Sequence, residues 1–161
     1  MGRNKGMDNT LKLGQRPLAG SLGHVDWNFH ERRTKHVGAI SDWIAKEKIS
    51  AKACARLERA LDQLRSMPKT SWSKPAPASN IGDHTYVIRF RDVSNVQLRV
   101  FGHFYDAHTS FVMTANGIEK DNVYQPENYT EIAKRHKSVC DEEFSKNTVA
   151  YANYCEICKQ E

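Results

Sequence analysis

The sequence predicts an α+β fold, in which a helical hairpin packs on one face of a small antiparallel sheet. Two observations lead to this prediction. Three segments of alternating apolar and polar residues follow one another closely between residues 85 and 115, with short turns between them, as in an antiparallel meander. Two segments with helical periodicity precede them, between residues 30 and 67. Helices collected on one side of a sheet are a common way to bury a single core.

The first elements are a strand and two helices. The stretch HVDWNF (24–29) alternates apolar and polar residues, which predicts a half-buried strand. The stretch HERRTKHVGAISDWIAKEK (30–48) has its apolar residues on one helical face. The second helix can be capped by Ser50, and the brief break before it predicts a hairpin. Its apolar stripe is Ala53, Leu57, Ala60, Leu61 and Leu64.

A connector and a last helix complete the order of elements. Residues 68–83 are rich in proline and serine, which predicts a connector that continues neither helix nor strand. The stretch NGIEKDNVYQ (116–125) predicts a loop, and PENYTEIAKRHKSVCDEEF (126–144) predicts a helix with proline in its first turn. The predicted order is therefore β-α-α-β-β-β-α.

Length and composition bound the organisation of the chain. The 161 residues suffice for one domain, and since they contain no long apolar run we expect neither a membrane span nor a signal peptide. We assign residues 24–143 to the folded domain, residues 1–23 to a flexible N-terminal extension, and residues 144–161 to a C-terminal extension with a short helix. Four cysteines without a secretory signal favour reduced thiols and a cytoplasmic location.

The charge is uneven along the chain. Residues 1–82 contain 15 basic and 7 acidic residues, a net charge of +8, whereas residues 83–161 contain 9 and 12, a net charge of −3. A basic half indicates an anionic partner, either nucleic acid or an acidic protein. The alternative is a solvated helical surface without a partner, and charge alone does not separate the two.

Two longer stretches resemble a known family. IGDHTYVIRFRDVSNVQLRVFGHF, followed by FVMTANGIEKDNVYQPENYTEIAKRHK, resembles the RelE/ParE superfamily of bacterial and phage toxins, and within it the HigB-like and phage-type branch. The shared pattern is a strand that ends in arginine, a turn, a second strand with an Arg–Val pair, a third strand, a lysine-bearing loop and a final helix. The resemblance covers roughly residues 24–143 and implies a RelE-like fold.

The resemblance also implies a function. Members are often the toxin of a type II toxin–antitoxin pair, and the RelE-like and HigB-like branches cleave messenger RNA in the ribosomal decoding site. For this chain it implies a ribosome-dependent endoribonuclease without a metal or cofactor, whose partners are an antitoxin protein and mRNA on the ribosome rather than a membrane or a small molecule. The alternatives are a ParE-like DNA gyrase inhibitor, a non-catalytic binding member, or a nucleic-acid-binding module that uses the basic hairpin.

RNA cleavage of this kind limits the residue types that can carry it. The ribose 2′-OH attacks the adjacent phosphorus, so the site needs a base, cations and an acid. The resemblance places Arg99 at the scissile phosphate, although a buried ion pair is the alternative role for an arginine in an apolar strand. His103 shares the strand face of Arg99, and Lys120 and Tyr124 follow the third strand. We expect these four residues to be catalytic.

A second group of residues is expected to bind RNA. These residues are Arg89 and Arg91 on the first strand of the meander, and Arg135 and His136 on the final helix. A solvated edge is the alternative for the two arginines of the strand. Cys155 and Cys158 have the spacing of a metal or redox pair, but no second pair lies at a usable spacing, so we expect no metal site.

Overall fold

The computed structural model describes residues 26–35, 37–73 and 77–151, and over these ranges the fold is α+β with a mostly antiparallel sheet of seven strands. The predicted α+β class is therefore confirmed. The helices are α1 (Ala39–Lys46), α2 (Ala51–Arg65), α3 (Tyr129–Glu142) and α4 (Phe144–Asn147). The strands are β1 (Asn28–Arg32), β2 (Ala78–Gly82), β3 (Thr85–Arg91), β4 (Gln97–Tyr105), β5 (Ser110–Lys120), β6 (Val123–Gln125) and β7 (Thr148–Ala150).

β5 organises the sheet, whose order is β2-β3-β4-β5-β1-β7. β4 runs antiparallel along one edge of β5 for its whole length. The other edge of β5 is shared, since β1 pairs with its first residues and β6 pairs with its last. The pairing of β1 with β5 is parallel, so the expectation of a purely antiparallel sheet is corrected at this position. None of the described helices has the length and apolar character that crossing a bilayer requires.

The first face of the sheet carries the helical hairpin and the larger part of the core. α1 packs on β1 and β5, and α2 packs on β3. The Oγ of Ser50 accepts a hydrogen bond from the backbone N–H of Ala53 at 3.0 Å and caps α2 as predicted. The predicted stripe of α2 is buried at every position, which confirms the helical face. These side chains join one cluster with the aromatic residues of β1 and β5.

The second face of the sheet is covered by α3. Val87, Phe101 and Ala115 pack there against Ala133 of the helix, and Tyr129 stacks on Phe101 at a centroid distance of 5.0 Å. The middle of the sheet is thus buried on both faces. Polar residues on the second face of β4 therefore lie in the protein interior and need internal partners.

A β-bulge interrupts the pairing of β4 with β5. The register shifts between Phe101 and Gly102, and Thr114 is the extra residue on β5. Only glycine fits at position 102, because a Cβ atom there would lie 2.2 Å from the backbone oxygen of Val112. The backbone carbonyl of Thr114 accepts a hydrogen bond from Nε of Arg32 at 2.9 Å.

Two segments expected to be irregular contain strands, and residues 30–32, expected in the first helix, instead complete β1. The second half of the connector, within residues 68–83, forms β2 and pairs with β3. The expected loop 116–125 instead continues β5 and returns as β6, through Asp121 and Asn122, both of which have positive φ. Only glycine fits at position 117 of β5, since a Cβ atom there would lie 2.6 Å from the backbone oxygen of Gln125.

The expected C-terminal extension begins with a helical turn, α4, and then joins the sheet. Thr148–Ala150 forms β7 at the edge of β1, and Tyr151 is buried against the core. The expected flexible segment 1–23 lies outside the described residues, as do Cys155 and Cys158.

Candidate nucleic-acid interface

Arg99 lies in the middle of β4 with only 4% of its surface exposed. Its Nε donates to Oε2 of Glu119 at 2.8 Å, and its Nη2 donates to the same oxygen. Nη2 also donates to Oε1 of Gln97 at 2.6 Å, and Nη1 donates to the backbone carbonyl of Leu98 at 2.8 Å. Internal acceptors thus bond all three nitrogens of the guanidinium, as in the ion-pair alternative. A phosphate would reach Arg99 only by displacing Glu119.

The two candidate residues of the β5–β6 hairpin lie on opposite sides of the sheet. Glu119 is in register with Tyr124 on β6, which places Tyr124 on the same face as Arg99. Tyr124 is half-buried and packs edge-on against Tyr129 at a centroid distance of 4.6 Å. Lys120 is exposed, and the alternation of side chains along β5 directs it to the face opposite Glu119.

His103 is 2% exposed and lies beneath α3. Its Nε2 is 3.1 Å from Oδ1 of Asp141, whose Oδ2 accepts a hydrogen bond from Nζ of Lys137 at 2.5 Å. Burial lowers the pKa of His103 to about 4 despite the neighbouring carboxylate, so the ring is neutral at pH 7. Its Nδ1 is buried without a hydrogen-bond partner.

The four residues expected to be catalytic are therefore not assembled into one open site. Four strand positions separate Arg99 from His103, roughly 13 Å at 3.3 Å per residue. Arg99 is closed by its ion pair and His103 is covered by α3, while Lys120 lies on the other side of the sheet. The arrangement lacks a surface at which one phosphate meets all four side chains.

A different surface gathers exposed positive charge. A cleft of about 620 Å³ lies between α2 and the end of β3. Among the described residues that line it, five are basic and only Asp92 is acidic. The basic residues are Lys52, Arg56, Arg59, Arg89 and Arg91. We call this surface the basic cleft.

One wall of the basic cleft is a stripe of α2. Lys52, Arg56 and Arg59 are separated by four and three residues, so they project from one side of the helix. Nη1 of Arg56 donates to the backbone carbonyl of Arg91 at 3.0 Å, which joins the helix to the end of β3. Lys52 and Arg59 are exposed, so their charges are available to a ligand.

Asp92 ties the turn after β3 to the start of α2. Its carboxylate accepts hydrogen bonds from Oγ of Ser50, the cap of α2, and from the backbone N–H of Val93. These two bonds lower the pKa of Asp92 and keep it ionised. The acidic residue of the basic cleft thus has a structural role, and it offsets only part of the surrounding positive charge.

The other wall comes from β3, where Arg89 lies directly opposite Arg99 of β4. Like charges at opposed positions repel, so the two side chains need different partners. Arg99 turns to Glu119, while Nη2 of Arg89 donates to Oγ of Ser79 on β2, and Arg89 is among the residues at the border of the basic cleft. The pair is therefore divided into one arginine bound to a carboxylate and one bound to a neutral hydroxyl.

The residues expected to bind RNA fall on two surfaces. Arg89 and Arg91 line the basic cleft, whereas Arg135 and His136 lie on α3, on the second face of the sheet. His136 is half-buried, and burial, followed by the charges of Arg32 and Arg135, lowers its pKa to about 4. The residues expected to bind RNA included neither Arg32 nor the basic residues of α2. The helical spacing of the basic residues of α2 was nevertheless visible in the sequence.

Comparisons with family models, with curated proteins and with solved structures give no match for this chain. The functional argument therefore rests on the sequence and on the geometry of these surfaces. The described part of the chain contains no group of three or more His, Cys, Asp or Glu side chains that could hold a metal ion.

The ion pair gives a prediction for Arg99. Arg99→Ala should lower the free energy of unfolding by roughly 3–5 kcal/mol, because it leaves the carboxylate of Glu119 without its partner. Arg91→Ala, which removes an exposed arginine, should change it by no more than about 0.5 kcal/mol. Urea unfolding of both variants checks this. An Arg99→Ala protein as stable as the parent would show that the pair does not hold the sheet.

The buried histidines give a prediction for pH. His30, His103 and His136 each have a pKa lowered to about 4, with burial as the largest cause. Between pH 6.5 and 4 the unfolded chain binds protons that the folded protein does not, so stability should fall as the pH falls through this range. Urea unfolding at pH 7.5, 5.5 and 4.5 measures the fall.

One variant separates the contribution of His103 to the pH dependence of stability from the contributions of other groups. These groups include Glu31, whose pKa is raised by burial. His103→Gln should show a smaller loss of stability between pH 7.5 and 5.5 than the parent. His84→Asn, at an exposed turn, is the control. An equal loss in the parent and in His103→Gln would contradict the burial of a neutral imidazole at this position.

Proposed function

We propose that this protein binds the phosphate backbone of RNA in the basic cleft. The observation that carries the proposal is the set of five basic residues, with one structural carboxylate, around a single open cleft. Clustered Lys and Arg residues neutralise successive phosphates and supply most of the affinity of sequence-independent binding.

The spread of the charges favours a polymer over a single small anion. Lys52 and Arg59 are seven residues apart on α2, about 10 Å at 1.5 Å per residue. Together with the arginines of β3, these positions offer contacts to more than one phosphate at the same time. A backbone with a phosphate at every nucleotide can follow the stripe of α2 and meet Arg89 and Arg91 on the opposite wall.

The resemblance to the RelE/ParE superfamily favours RNA over DNA. Without β2, β6, β7 and α4, the elements run β1-α1-α2-β3-β4-β5-α3, the order β-α-α-β-β-β-α that the resemblance implies. We therefore include a RelE-like topology in the proposal. Under this proposal β2, β6 and β7 are additions to a RelE-like core. None of their residues lines the basic cleft.

Cleavage of mRNA on the ribosome, as the toxin of a toxin–antitoxin pair in the cytoplasm, is the second candidate function. The order of elements favours it, as does the position of Tyr124 on the same face as Arg99. It requires that the scissile phosphate displace Glu119 from Arg99, whereas binding in the basic cleft requires no rearrangement. Binding is for this reason the first proposal and cleavage the second.

The first proposal predicts a localised loss of RNA affinity. The double variant Lys52→Gln/Arg59→Gln should bind single-stranded RNA more weakly, by a similar factor for different sequences, because both residues contact phosphate. The slope of log K against log salt should decrease by about 1.4, since each phosphate contact contributes about 0.7 on a single strand. Fluorescence anisotropy at several salt concentrations measures both quantities.

The matched control is Lys134→Gln/Lys146→Gln, which removes the same charge from exposed positions of α3 and α4. This control should keep nearly the full affinity and the parent's salt slope. If both double variants lose affinity equally, binding follows net charge alone and the basic cleft is not the site.

The second candidate predicts that induced expression stops protein synthesis before DNA synthesis. Arg99→Lys should remove this effect, because it keeps the charge but lacks the planar fork that grips phosphate. Incorporation of labelled methionine and thymidine separates the two processes. Earlier failure of DNA synthesis would favour a ParE-like gyrase inhibitor, and unimpaired growth would leave RNA binding without toxicity.

A further inference from the structure

A second cavity, of about 240 Å³, lies at the end of the sheet where β3 begins and β4 ends. The described residues that line it are Lys69, His84, Tyr86, Phe104, Asp106 and Lys137. Lys69 begins a short 3-10 turn after α2, and Lys137 belongs to α3. None of these residues lines the basic cleft, so the two surfaces are separate. We call this cavity the aromatic pocket.

Two half-buried rings form the apolar wall of the aromatic pocket. Tyr86 and Phe104 lie on neighbouring strands, and their ring centroids are 4.9 Å apart. Phe104 also contacts the rings of Trp27 and Trp72, at centroid distances of 4.6 and 4.7 Å. Because these buried tryptophans already hold the ring of Phe104 in place, a flat ligand that stacks on it does not have to order it first.

The lysines of the aromatic pocket are balanced by acids, in contrast to the residues of the basic cleft. Nζ of Lys69 donates to both carboxylate oxygens of Asp106, at 2.8 and 2.9 Å. Nζ of Lys137 donates to Oδ2 of Asp141 at 2.5 Å. Since each ammonium has a carboxylate partner, the lining favours a neutral ligand with both hydrogen-bond donors and acceptors over a phosphate.

Lys69 and Asp106 offer a donor and an acceptor side by side. Their side chains are 40% and 68% exposed, so part of their hydrogen-bonding capacity faces solvent. Nζ of Lys69 lies 5.2 Å from the ring centroid of Phe104, which places the ion pair beside the aromatic wall. A planar molecule that stacks on Phe104 can therefore present its polar edge to both charged groups.

We propose that the aromatic pocket binds a nucleobase. Proteins recognise unpaired bases by stacking them on aromatic rings and by hydrogen bonds to the base edge. The cavity is smaller than the roughly 300–1,000 Å³ of a site for a drug-sized ligand, so it admits one ring system while sugar and phosphate remain outside. Guanine complements the ion pair best, because it has two adjacent N–H donors for Asp106 and a carbonyl oxygen for Lys69.

This inference goes beyond binding of the RNA backbone in the basic cleft and does not depend on it. Tyr86 and Arg91 are five positions apart on β3, roughly 17 Å at 3.4 Å per residue. Loss of the basic cleft therefore leaves the aromatic pocket in place. The base can belong to a free nucleotide or to an RNA strand, and the two sources are separable by experiment.

The test uses NMR of the full chain with three probes at constant ionic strength. The probes are guanosine 5′-monophosphate, ribose 5-phosphate, and a single-stranded oligouridine with one internal guanosine. The ring resonances of Tyr86 and Phe104 should shift and saturate with the nucleotide or with the RNA, and should not respond to ribose 5-phosphate. Saturation with the nucleotide indicates a free base source, and saturation with RNA alone indicates a base within a strand.

Two variants and a control test the lining. Phe104→Leu should lose at least fivefold in affinity for the effective probe, because stacking is lost. Asp106→Asn should lose about tenfold, since an amide cannot accept from two adjacent N–H groups, and it should keep the melting temperature because the site is exposed. Asp42→Asn removes the same charge from another lysine-paired aspartate, on α1, and should keep the parent's affinity.

Three results would overturn the proposal. They are equal shifts with ribose 5-phosphate, no saturable shift with any probe, and equal losses in Asp106→Asn and Asp42→Asn. If Phe104→Leu does not fold, the comparison of the two aspartate variants still decides. Lys52→Gln/Arg59→Gln should keep the parent's affinity for guanosine 5′-monophosphate, which distinguishes failure of the aromatic pocket from failure of the basic cleft.

Discussion

The ion pair of Arg99 with Glu119 is the interaction on which the middle of the sheet depends. It joins β4 to β5 at the point where β6 begins to pair, and it lies on the face that continues into the tyrosines under α3. An unpaired arginine in this position would not tolerate the burial that the two-sided sheet imposes. The pair thus allows a strand with a central charge to lie inside the protein.

Because Glu119 neutralises Arg99 inside the protein, the positive charge that a ligand can meet lies at other residues. The cross-strand neighbour of Arg99, Arg89, donates to Ser79 instead, at the border of the basic cleft, where the stripe of α2 adds three more cations. At the opposite side of the sheet, Arg32 has a bulge carbonyl as its acceptor but no carboxylate among the described residues. The distribution of acids within the fold, rather than the number of basic residues, therefore decides which arginines can meet a ligand.

Local patterns allowed much of the fold to be predicted, and pairings between distant residues account for what was missed. The stripe and cap of α2 follow from helical spacing and from Ser50, and the three strands of the meander follow from alternation. β2, β6 and β7 are short, and their pairing with distant strands has no local signature. The segment 116–125 was expected to be a loop, and Gly117 within it instead allows the close approach of β6 to β5. The partner of Arg99 lies 20 positions away on another strand, so the sequence left both of its roles open.

The central claim is that RNA meets α2 and the end of β3 while the Arg99 region stays closed. Mapping backbone amide chemical shifts during titration with a short single-stranded RNA tests it most directly. The account predicts that the largest shifts fall on residues 52–63 and 89–95, and that the side-chain Nε–Hε resonance of Arg99 keeps its position. Shifts concentrated on Arg99, Glu119 and Tyr124, with those of α2 unchanged, would contradict it.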